Sequence, residues 1–214
     1  MVIAMDGPAG TGKSTIARLL AERFNYTYIN SGDLYRAITL GCMRHQVDPS
    51  DHEAALDYAK KATLDYRNGE VYLDGEAVES LLHTDEIDRH TAPLSAIVPI
   101  RHVINDHIRD LARGQDVVVE GRDMTTVVFP QAEYRFYLDA SAEARAKRRY
   151  DQGVSRLSLE EIRRSIEERD AIDKNKTEGS LKIAPGVAYL DTSDLTIEQV
   201  YATLIKKLQV RKTP

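Results

Sequence analysis

The segment GPAGTGKST, residues 7–15, follows directly behind a short apolar run, residues 2–5. It matches the pattern G-x-x-x-x-G-K-[ST] without a gap, through Gly7, Gly12, Lys13 and Ser14. Glycines in such a loop let backbone N–H groups turn towards phosphate oxygens, and the helix that follows directs its positive N-terminus at the same point. The segment therefore predicts a strand, a phosphate-binding loop and a helix in that order, with a nucleoside triphosphate as ligand.

Each residue of this phosphate loop is a candidate nucleotide contact: Gly7, Pro8, Ala9, Gly10, Thr11, Gly12, Lys13, Ser14 and Thr15. In loops of this kind the lysine reaches the β- and γ-phosphates, and the hydroxyl after it ligates Mg²⁺. We expect Lys13 and Ser14 to take these roles, with Ser14 holding the metal together with the nucleotide. The alternative is a glycine-rich surface turn before a helix, which the complete match in this context disfavours.

Later segments continue the alternation of strand and helix. The run DVVVEG reads as a buried strand, YRFYLDA and VAYLDTS are two further candidate strands, and helical patterns cover residues 14–24, 33–40 and 99–113. The segment TIEQVYATLIKKLQV closes the chain as an amphipathic helix. This alternation predicts an α/β fold with a doubly wound parallel sheet flanked by helices.

Residues 48–93 have a different pattern. The segment ATLDYRNGEVYLDGEAV alternates in the manner of strands and carries turn signals at Asn68-Gly69 and Asp74-Gly75. Such a segment predicts a small antiparallel β-meander inserted into the parallel fold. We therefore divide the single unit of 214 residues into a core, residues 1–40 and 94–214, and an inserted region, residues 41–93.

Composition excludes several classes of protein. The net charge of −5 argues against a surface that coats nucleic acid, and the single cysteine, Cys42, excludes an internal disulfide framework. The six histidines show no zinc-ligand spacing. The first apolar run is too short for a signal peptide or a membrane span, so we expect a cytoplasmic protein with no membrane or nucleic-acid partner.

Three further motifs carry a resemblance to a known family. They are NSGDLYR after the phosphate loop, EGRDMTTVVFP after a buried strand, and EERDAIDKNK at the end of a charged helical region. With these motifs in this order, the chain closely resembles the bacterial cytidylate kinases, a branch of the nucleoside-monophosphate kinases, from Val2 to about Leu208. The resemblance implies a P-loop NTPase-type fold, ATP as phosphoryl donor with Mg²⁺, CMP and dCMP as acceptors, and a protein that acts as a monomer.

The resemblance also implies a set of acceptor-binding residues: Ser31, Tyr35, Arg36, Arg101, Arg122, Asp123, Arg169 and Asp173. Several arginines are expected here on physical grounds, because a dianionic phosphate needs bidentate guanidinium partners. Cytosine offers O2 and N3 as acceptors and its N4 amine as a donor. An arginine and a carboxylate, Arg101 and Asp123, fit those groups, whereas uracil would place O4 against the carboxylate.

Two positions depart from the family pattern. Ala92 stands where relatives commonly carry a serine that contacts the base, so Thr91 or Ser95 could replace it, or the contact could be missing. Lys176 stands where many relatives carry arginine, which keeps the charge but loses the planar fork.

The family's lid, a segment that closes over the transferring phosphoryl group, matches residues 145–178. We expect direct in-line transfer without a phosphoenzyme, with Lys13, Arg122, Arg148 and Arg149 stabilising the charge of the transition state. Glu120, at the end of its strand, could orient water around Mg²⁺ or the acceptor phosphate, or have a structural role.

Other functions stay open at this stage. A kinase for UMP, dTMP or shikimate would share most of these features. A GTP-hydrolysing switch would need a guanine-reading N-K-x-D sequence, and residues 173–176 read DKNK instead. A nucleic-acid-dependent ATPase is disfavoured by the acidic balance and by the lack of a stripe of aromatic and basic residues.

Overall fold

A five-stranded parallel sheet forms the centre of the molecule. The computed structural model describes residues 1–67, 69–153 and 157–210. The strand order is β2-β6-β1-β7-β8, and every neighbouring pair runs parallel. The strands are β1 (Val2–Asp6), β2 (Thr27–Asn30), β6 (Val117–Gly121), β7 (Tyr134–Asp139) and β8 (Ala188–Asp191). The predicted parallel α/β sheet is confirmed.

The two strands at the middle of this sheet have the sequences expected for burial on both faces. All five residues of β6, VVVEG, are buried, as are the last four of β1. Strand β2, TYIN, was not predicted, because it has only four residues and both of its end residues are half-buried. It lies at the edge of the sheet, where a strand needs fewer apolar residues than at the centre.

Helices cover both faces of the sheet and form the inserted region. They are α1 (Lys13–Phe24), α2 (Ser31–Arg44), α3 (His52–Lys61), α4 (Asp85–Leu94), α5 (Val98–Leu111), α6 (Ala142–Asp151), α7 (Leu159–Asn175) and α8 (Ile197–Val210). Side chains cap several of them. The Asn30 side chain accepts the N–H of Gly32 at the start of α2, and Ser158 and Glu161 form a capping box at the start of α7.

A second, antiparallel sheet lies in the inserted region. It contains β3 (Leu64–Arg67), β4 (Glu70–Leu73) and β5 (Glu76–Ala77), which confirms the predicted meander. Asp74 and Gly75 both have positive φ, 51° and 86°, which is the conformation that a two-residue hairpin turn requires. Asn68, in the other predicted turn, lies outside the described residues.

The limits predicted for the inserted region fall inside helices. The limit at residue 40 lies within α2, and the limit at residue 93 lies within α4. Helices α3 and α4 were not predicted, whereas α5 was. The division into core, inserted region and lid stays a prediction about how parts of the chain act.

The carboxyl ends of β1 and β6 meet at one edge of the sheet, beside a π-helical turn, Met124–Val128. The buried carboxylate of Asp6, the last residue of β1, accepts the backbone N–H groups of Met124 at 2.8 Å and Thr125 at 2.7 Å. Asp6 thereby holds the turn that follows Arg122 and Asp123 against the sheet. Sequence reasoning did not assign Asp6 any role.

Candidate active site

The phosphate loop has the geometry of an anion site. Gly10 and Gly12 have φ of 81° and 91°, and α1 begins at Lys13 with no side-chain cap on its first N–H groups. Those groups are therefore available to a phosphate. A Cβ on Gly7 would lie 1.9 Å from the carbonyl oxygen of Leu138, so only glycine fits between β1 and β7.

The Lys13 side chain bends over this loop. Its ammonium donates a hydrogen bond to the carbonyl of Pro8 at 2.7 Å and contacts Thr11 Oγ1 at 3.4 Å. Burial and the neighbouring Arg122 lower the pKa of Lys13 to about 7. An anion bound in the loop would favour the charged ammonium and raise that pKa.

One cavity of about 890 Å³ joins the phosphate loop to the predicted acceptor residues. The predicted residues that line it are Ala9, Gly10, Thr11, Gly12, Lys13, Ser14, Thr15, Ser31, Tyr35, Arg36, Arg101, Arg122, Asp123, Arg148, Arg149, Arg169 and Asp173. Gly7 and Pro8 are not among the lining residues: Gly7 packs against β7, and Pro8 supplies the carbonyl that holds Lys13. The fold therefore brings distant segments of the chain to one opening.

Arg101 and Asp123 form a buried ion pair on one wall of the cavity. The guanidinium donates to Asp123 Oδ2 and also to the carbonyl of Ser95, the latter at 2.8 Å. Burial raises the pKa of Asp123 and the Arg101 charge opposes that rise. Tyr35 places its ring 5.8 Å from the Arg101 guanidinium, and its buried hydroxyl has no hydrogen-bond partner in the described part of the chain.

A second buried network begins beside this pair. Asp173 accepts hydrogen bonds from Arg122 Nε at 2.8 Å and from Lys176 Nζ at 2.7 Å. Burial acts to raise the pKa of Asp173, but Arg122 and Lys176 hold it well below its usual range. The Lys176 ammonium also donates to Ser95 Oγ at 2.9 Å, which links the end of α7 to the Arg101 wall.

The two hydroxyls considered as replacements for the usual serine face different surroundings. Thr91 donates to the Ile87 carbonyl at 2.7 Å and contacts Thr39 Oγ1 at 3.2 Å, so it is engaged within α4 and with α2. Ser95 donates to the Ala92 carbonyl at 2.8 Å and meets Lys176 beside the Arg101 pair. Both residues line the cavity, but the Ser95 hydroxyl is the one that contacts Lys176, and the Ser95 carbonyl accepts a hydrogen bond from Arg101.

The charged residues of the predicted lid point in different directions. Arg145 turns away from the cavity into a buried ion pair with Asp170 of α7. Arg148 donates to Thr192 Oγ1 and to backbone carbonyls just before α8, including that of Ser193. Arg149 reaches across to Asp88 of α4 at 3.0 Å. These three arginines lie within one helix, α6, at positions i, i+3 and i+4, yet each has a different partner.

Asp88 is a cavity residue that sequence reasoning missed. It lies in α4 and meets Arg36, Arg149 and Arg169, which come from three other helices. No motif surrounds it; the acidic first turn of α4 is the sole signal in the sequence. Burial and the neighbours Arg122 and Arg36 lower the pKa of Arg169 to about 10, while the nearby carboxylates of Asp173 and Asp88 act in the opposite direction.

Two groups bear on metal binding. Ser14, at the start of α1, and Glu120, at the end of β6, line the same cavity, while both oxygens of Asp6 are occupied by hydrogen bonds. Tyr28 donates to Glu120 Oε1 at 2.6 Å, which leaves the second oxygen of Glu120 for other contacts. The donor set at the phosphate loop thus fits a magnesium ion carried in by the nucleotide.

A further cluster, Asp33, Glu79 and His83, brings its possible ligand atoms within 4.8 Å of one another. Arg36 lies 3.2 Å from Asp33, and Arg18 lies 3.2 Å from Glu79. These guanidiniums neutralise the two carboxylates. The cluster is therefore explained as a set of ion pairs.

The comparisons with known proteins decide the family. The family model described as Cytidylate kinase matches residues 3–210. This chain belongs to the cytidylate kinase family. A cytidylate kinase of Borreliella burgdorferi (strain ZS7) is 41% identical, over 99% of this chain and 98% of that protein. One from Caldanaerobacter subterraneus is 39% identical, over 92% of this chain and 90% of that protein. The resemblance seen in the sequence motifs is confirmed.

Solved structures show the same fold as this member of the cytidylate kinase family. The shikimate kinase of Bacteroides thetaiotaomicron aligns over 98% of both chains with a TM-score of 0.52 and 12% identity. The shikimate kinase of Acinetobacter baumannii aligns over 100% of this chain and 95% of its own, with a TM-score of 0.50 and 14% identity. At these identities the likeness concerns the fold alone.

No helix in the described ranges is long and apolar enough to cross a membrane. The monomeric state, the cytoplasmic location and the lack of a nucleic-acid partner remain predictions from the sequence.

Proposed function

We propose that this chain transfers the γ-phosphoryl group of ATP to the phosphate of CMP or dCMP, which yields ADP and CDP or dCDP. The observation that carries the proposal is the shared cavity, where the phosphate loop faces an arginine-rich corner and the Arg101–Asp123 pair. Membership of the cytidylate kinase family supports the same reaction and ATP as the donor.

The phosphate loop is the donor site in this proposal. Backbone N–H groups at the start of α1 bind the phosphates of ATP, and Lys13 leaves the Pro8 carbonyl to contact the β- and γ-phosphates. Ser14 and Glu120 would hold Mg²⁺ directly or through water. When bound, that ion neutralises charge on the β- and γ-phosphates.

The arginine-rich corner is the acceptor phosphate site. Arg36, Arg122 and Arg169 surround the space where that phosphate would bind, and Ser31 lies beside Gly121 at the end of β6. An oxygen of the acceptor phosphate attacks the γ-phosphorus as the bond to the bridging oxygen breaks, and ADP leaves. The chain's cations stabilise the charge on the transferring group, with Lys13, Arg122, Arg148 and Arg149 as the catalytic residues.

The base site is the wall that contains Arg101 and Asp123. In the structure these side chains pair with each other, so each is already oriented and buried when the base arrives. Cytosine satisfies both: Arg101 donates to O2 and N3, and Asp123 accepts from the N4 amine. Uracil would set its O4 oxygen against the carboxylate, which leaves buried acceptors facing each other.

The lid, residues 145–178, completes the site in this proposal. It contributes Arg149 and Arg169 to the phosphate corner, and Asp173 near Arg122 is the residue for the ribose hydroxyls. Closure of this segment over the bound nucleotides would exclude water and suppress hydrolysis of ATP.

A coupled assay for ADP release tests the reaction. The purified chain is incubated with ATP, Mg²⁺ and one of CMP, dCMP, UMP, dTMP, AMP, GMP or no acceptor. We expect kcat/KM for CMP and dCMP to exceed that for UMP by about 10² or more, since buried polar groups reject the wrong base. Equal turnover of UMP and CMP would contradict the base assignment. A rate of ADP release that is the same with and without an acceptor would contradict the kinase assignment.

A further inference from the structure

The carboxylate of Asp88 is surrounded by guanidiniums from three helices. Its Oδ1 accepts hydrogen bonds from Arg36 Nε at 3.1 Å and Arg36 Nη2 at 2.9 Å, and its Oδ2 accepts one from Arg149 at 3.0 Å. Arg169 lies 3.5 Å away on the Oδ1 side. These arginines come from α2, α6 and α7, whereas Asp88 comes from α4 in the inserted region. The Asp88 carboxylate therefore joins the lid to the inserted region.

The surroundings of Asp88 are suited to binding a phosphate monoester. Asp88 is only 20% exposed, and although burial opposes it, Arg36, Arg169 and Arg149 lower its pKa to about 2. The carboxylate is thus anionic at neutral pH. It supplies one negative charge against the three guanidiniums that meet it, from Arg36, Arg149 and Arg169.

We infer that Asp88 is a displaceable counter-ion, which pairs with Arg36 and Arg169 until the phosphate of the acceptor replaces it. The identity of that acceptor rests on the function proposed above. A dianionic phosphate monoester carries twice the negative charge of the Asp88 carboxylate and has three terminal oxygens. It therefore replaces that carboxylate as the partner of Arg36 and Arg169. A neutral nucleoside or a phosphodiester monoanion lacks that advantage. Asp88 thereby restricts acceptors to terminal phosphate monoesters and lowers the affinity for them.

The substitution Asp88→Asn tests the inference, because it removes the competing charge and keeps the size of the side chain. Isothermal titration measures the dissociation constants of CMP, inorganic phosphate and a non-hydrolysable ATP analogue for both proteins. We expect CMP and inorganic phosphate to bind about five- to tenfold more tightly to the variant. Binding of the ATP analogue should change less than binding of CMP does, since the phosphate loop and Lys13, which bind most of its phosphates, do not contact Asp88.

Asp85→Asn is the matched control, since Asp85 lies one turn earlier in α4 and is 3.8 Å from Arg149, beyond hydrogen-bond distance. It should change each dissociation constant less than about twofold. Weaker or unchanged binding of phosphate to Asp88→Asn would overturn the inference and show that Asp88 orients the arginines as a permanent partner. Failure of both proteins to bind phosphate would overturn it too.

Two additions keep the test decisive. If the asparagine variant does not fold, Asp88→Ser removes the same charge and gives the same measurement. If the proposed function fails, the ADP-release assay shows no preference for CMP, but the titration with inorganic phosphate still reports on Asp88. The two failures are therefore distinguishable.

Discussion

The guanidinium of Arg145 and the carboxylate of Asp170 lie in a two-point ion pair, with hydrogen bonds of 3.1 and 2.6 Å. Arg145 also donates to the carbonyl of Ala9 in the phosphate loop at 3.2 Å and to that of Ala140 after β7 at 2.9 Å. One buried side chain thus connects the phosphate loop, the end of a core strand and α7. Asp170 lies between Arg169 and Asp173 in the sequence. The ion pair therefore fixes the stretch of backbone that carries those two side chains.

Replacement of Arg145 by alanine should destabilise the protein strongly. The change leaves Asp170 charged and largely buried without its partner, which costs about 3–5 kcal/mol of unfolding free energy. Urea denaturation followed by circular dichroism measures that loss. Lys147→Ala is the control in the same helix, because Lys147 makes an exposed pair with Asp151 at 3.0 Å and should cost less than about 1 kcal/mol. Equal losses in the two variants would show that the Arg145 pair contributes no more than a surface pair.

Replacement of Ser95 by alanine should weaken the choice of base. The hydroxyl meets Lys176 and lies beside the Arg101 pair, so its loss removes a fixed polar group from that wall and leaves the Lys176 ammonium with Asp173 alone of these two partners. We expect kcat/KM for CMP to fall by about tenfold, and the ratio of CMP to UMP turnover to fall with it.

Thr91→Val provides the contrast to the Ser95 variant. Thr91 bonds within α4 and towards α2, so its loss should lower stability while the CMP to UMP ratio stays within about twofold of the original. A change of that ratio in the threonine variant alone would assign the base contact to Thr91 and contradict the role given to Ser95.

Lys13→Met should abolish most of the transfer activity. Methionine keeps much of the side-chain volume but removes the ammonium that stabilises charge on the transferring phosphoryl group, so kcat should fall by about 10²–10³. A change confined to the KM for ATP would show that Lys13 contributes equally to ground-state and transition-state binding. Circular dichroism verifies that the variant keeps its fold.

The unfolding free energy should depend on pH through the ionisation of Asp6. Burial raises its pKa to about 6 in the folded protein, against 3.8 for an unperturbed aspartate. Between pH 4 and 6 the folded state therefore binds more protons at this group than the unfolded state does. The contribution of Asp6 to the unfolding free energy consequently falls by about 2–3 kcal/mol as the pH rises through that window.

Urea denaturation of the original protein and Asp6→Asn at pH 4 and pH 6.5 tests this expectation. The unfolding free energy of the variant relative to that of the unsubstituted protein should be higher at pH 6.5 than at pH 4, whatever the absolute cost of the substitution. Parallel stability curves would mean that Asp6 keeps an ordinary pKa when buried.

Local sequence was enough to predict several elements. The phosphate loop was predicted because its glycines take backbone conformations that other residues rarely adopt, and β6 because its three valines form one apolar run that ends at Glu120-Gly121. Strand β2 was missed, because four residues of mixed polarity at a sheet edge give no clear period. The meander was predicted, whereas α3 and α4 were missed beside it.

The parallel sheet, the inserted meander and the residue types of a phosphate-transfer site were determined by the sequence alone, since turn chemistry, periodicity and motifs act over a few residues. The tertiary structure decided which charges meet. Asp88 is 52 residues from Arg36 and 61 from Arg149, and Asp6 is 119 from Thr125. Ion pairs and buried hydrogen bonds act over a few ångströms, so pairs so distant in sequence leave no local pattern. The sequence predicted a kinase site, and the packing of the helices decided which charged side chains pair within it.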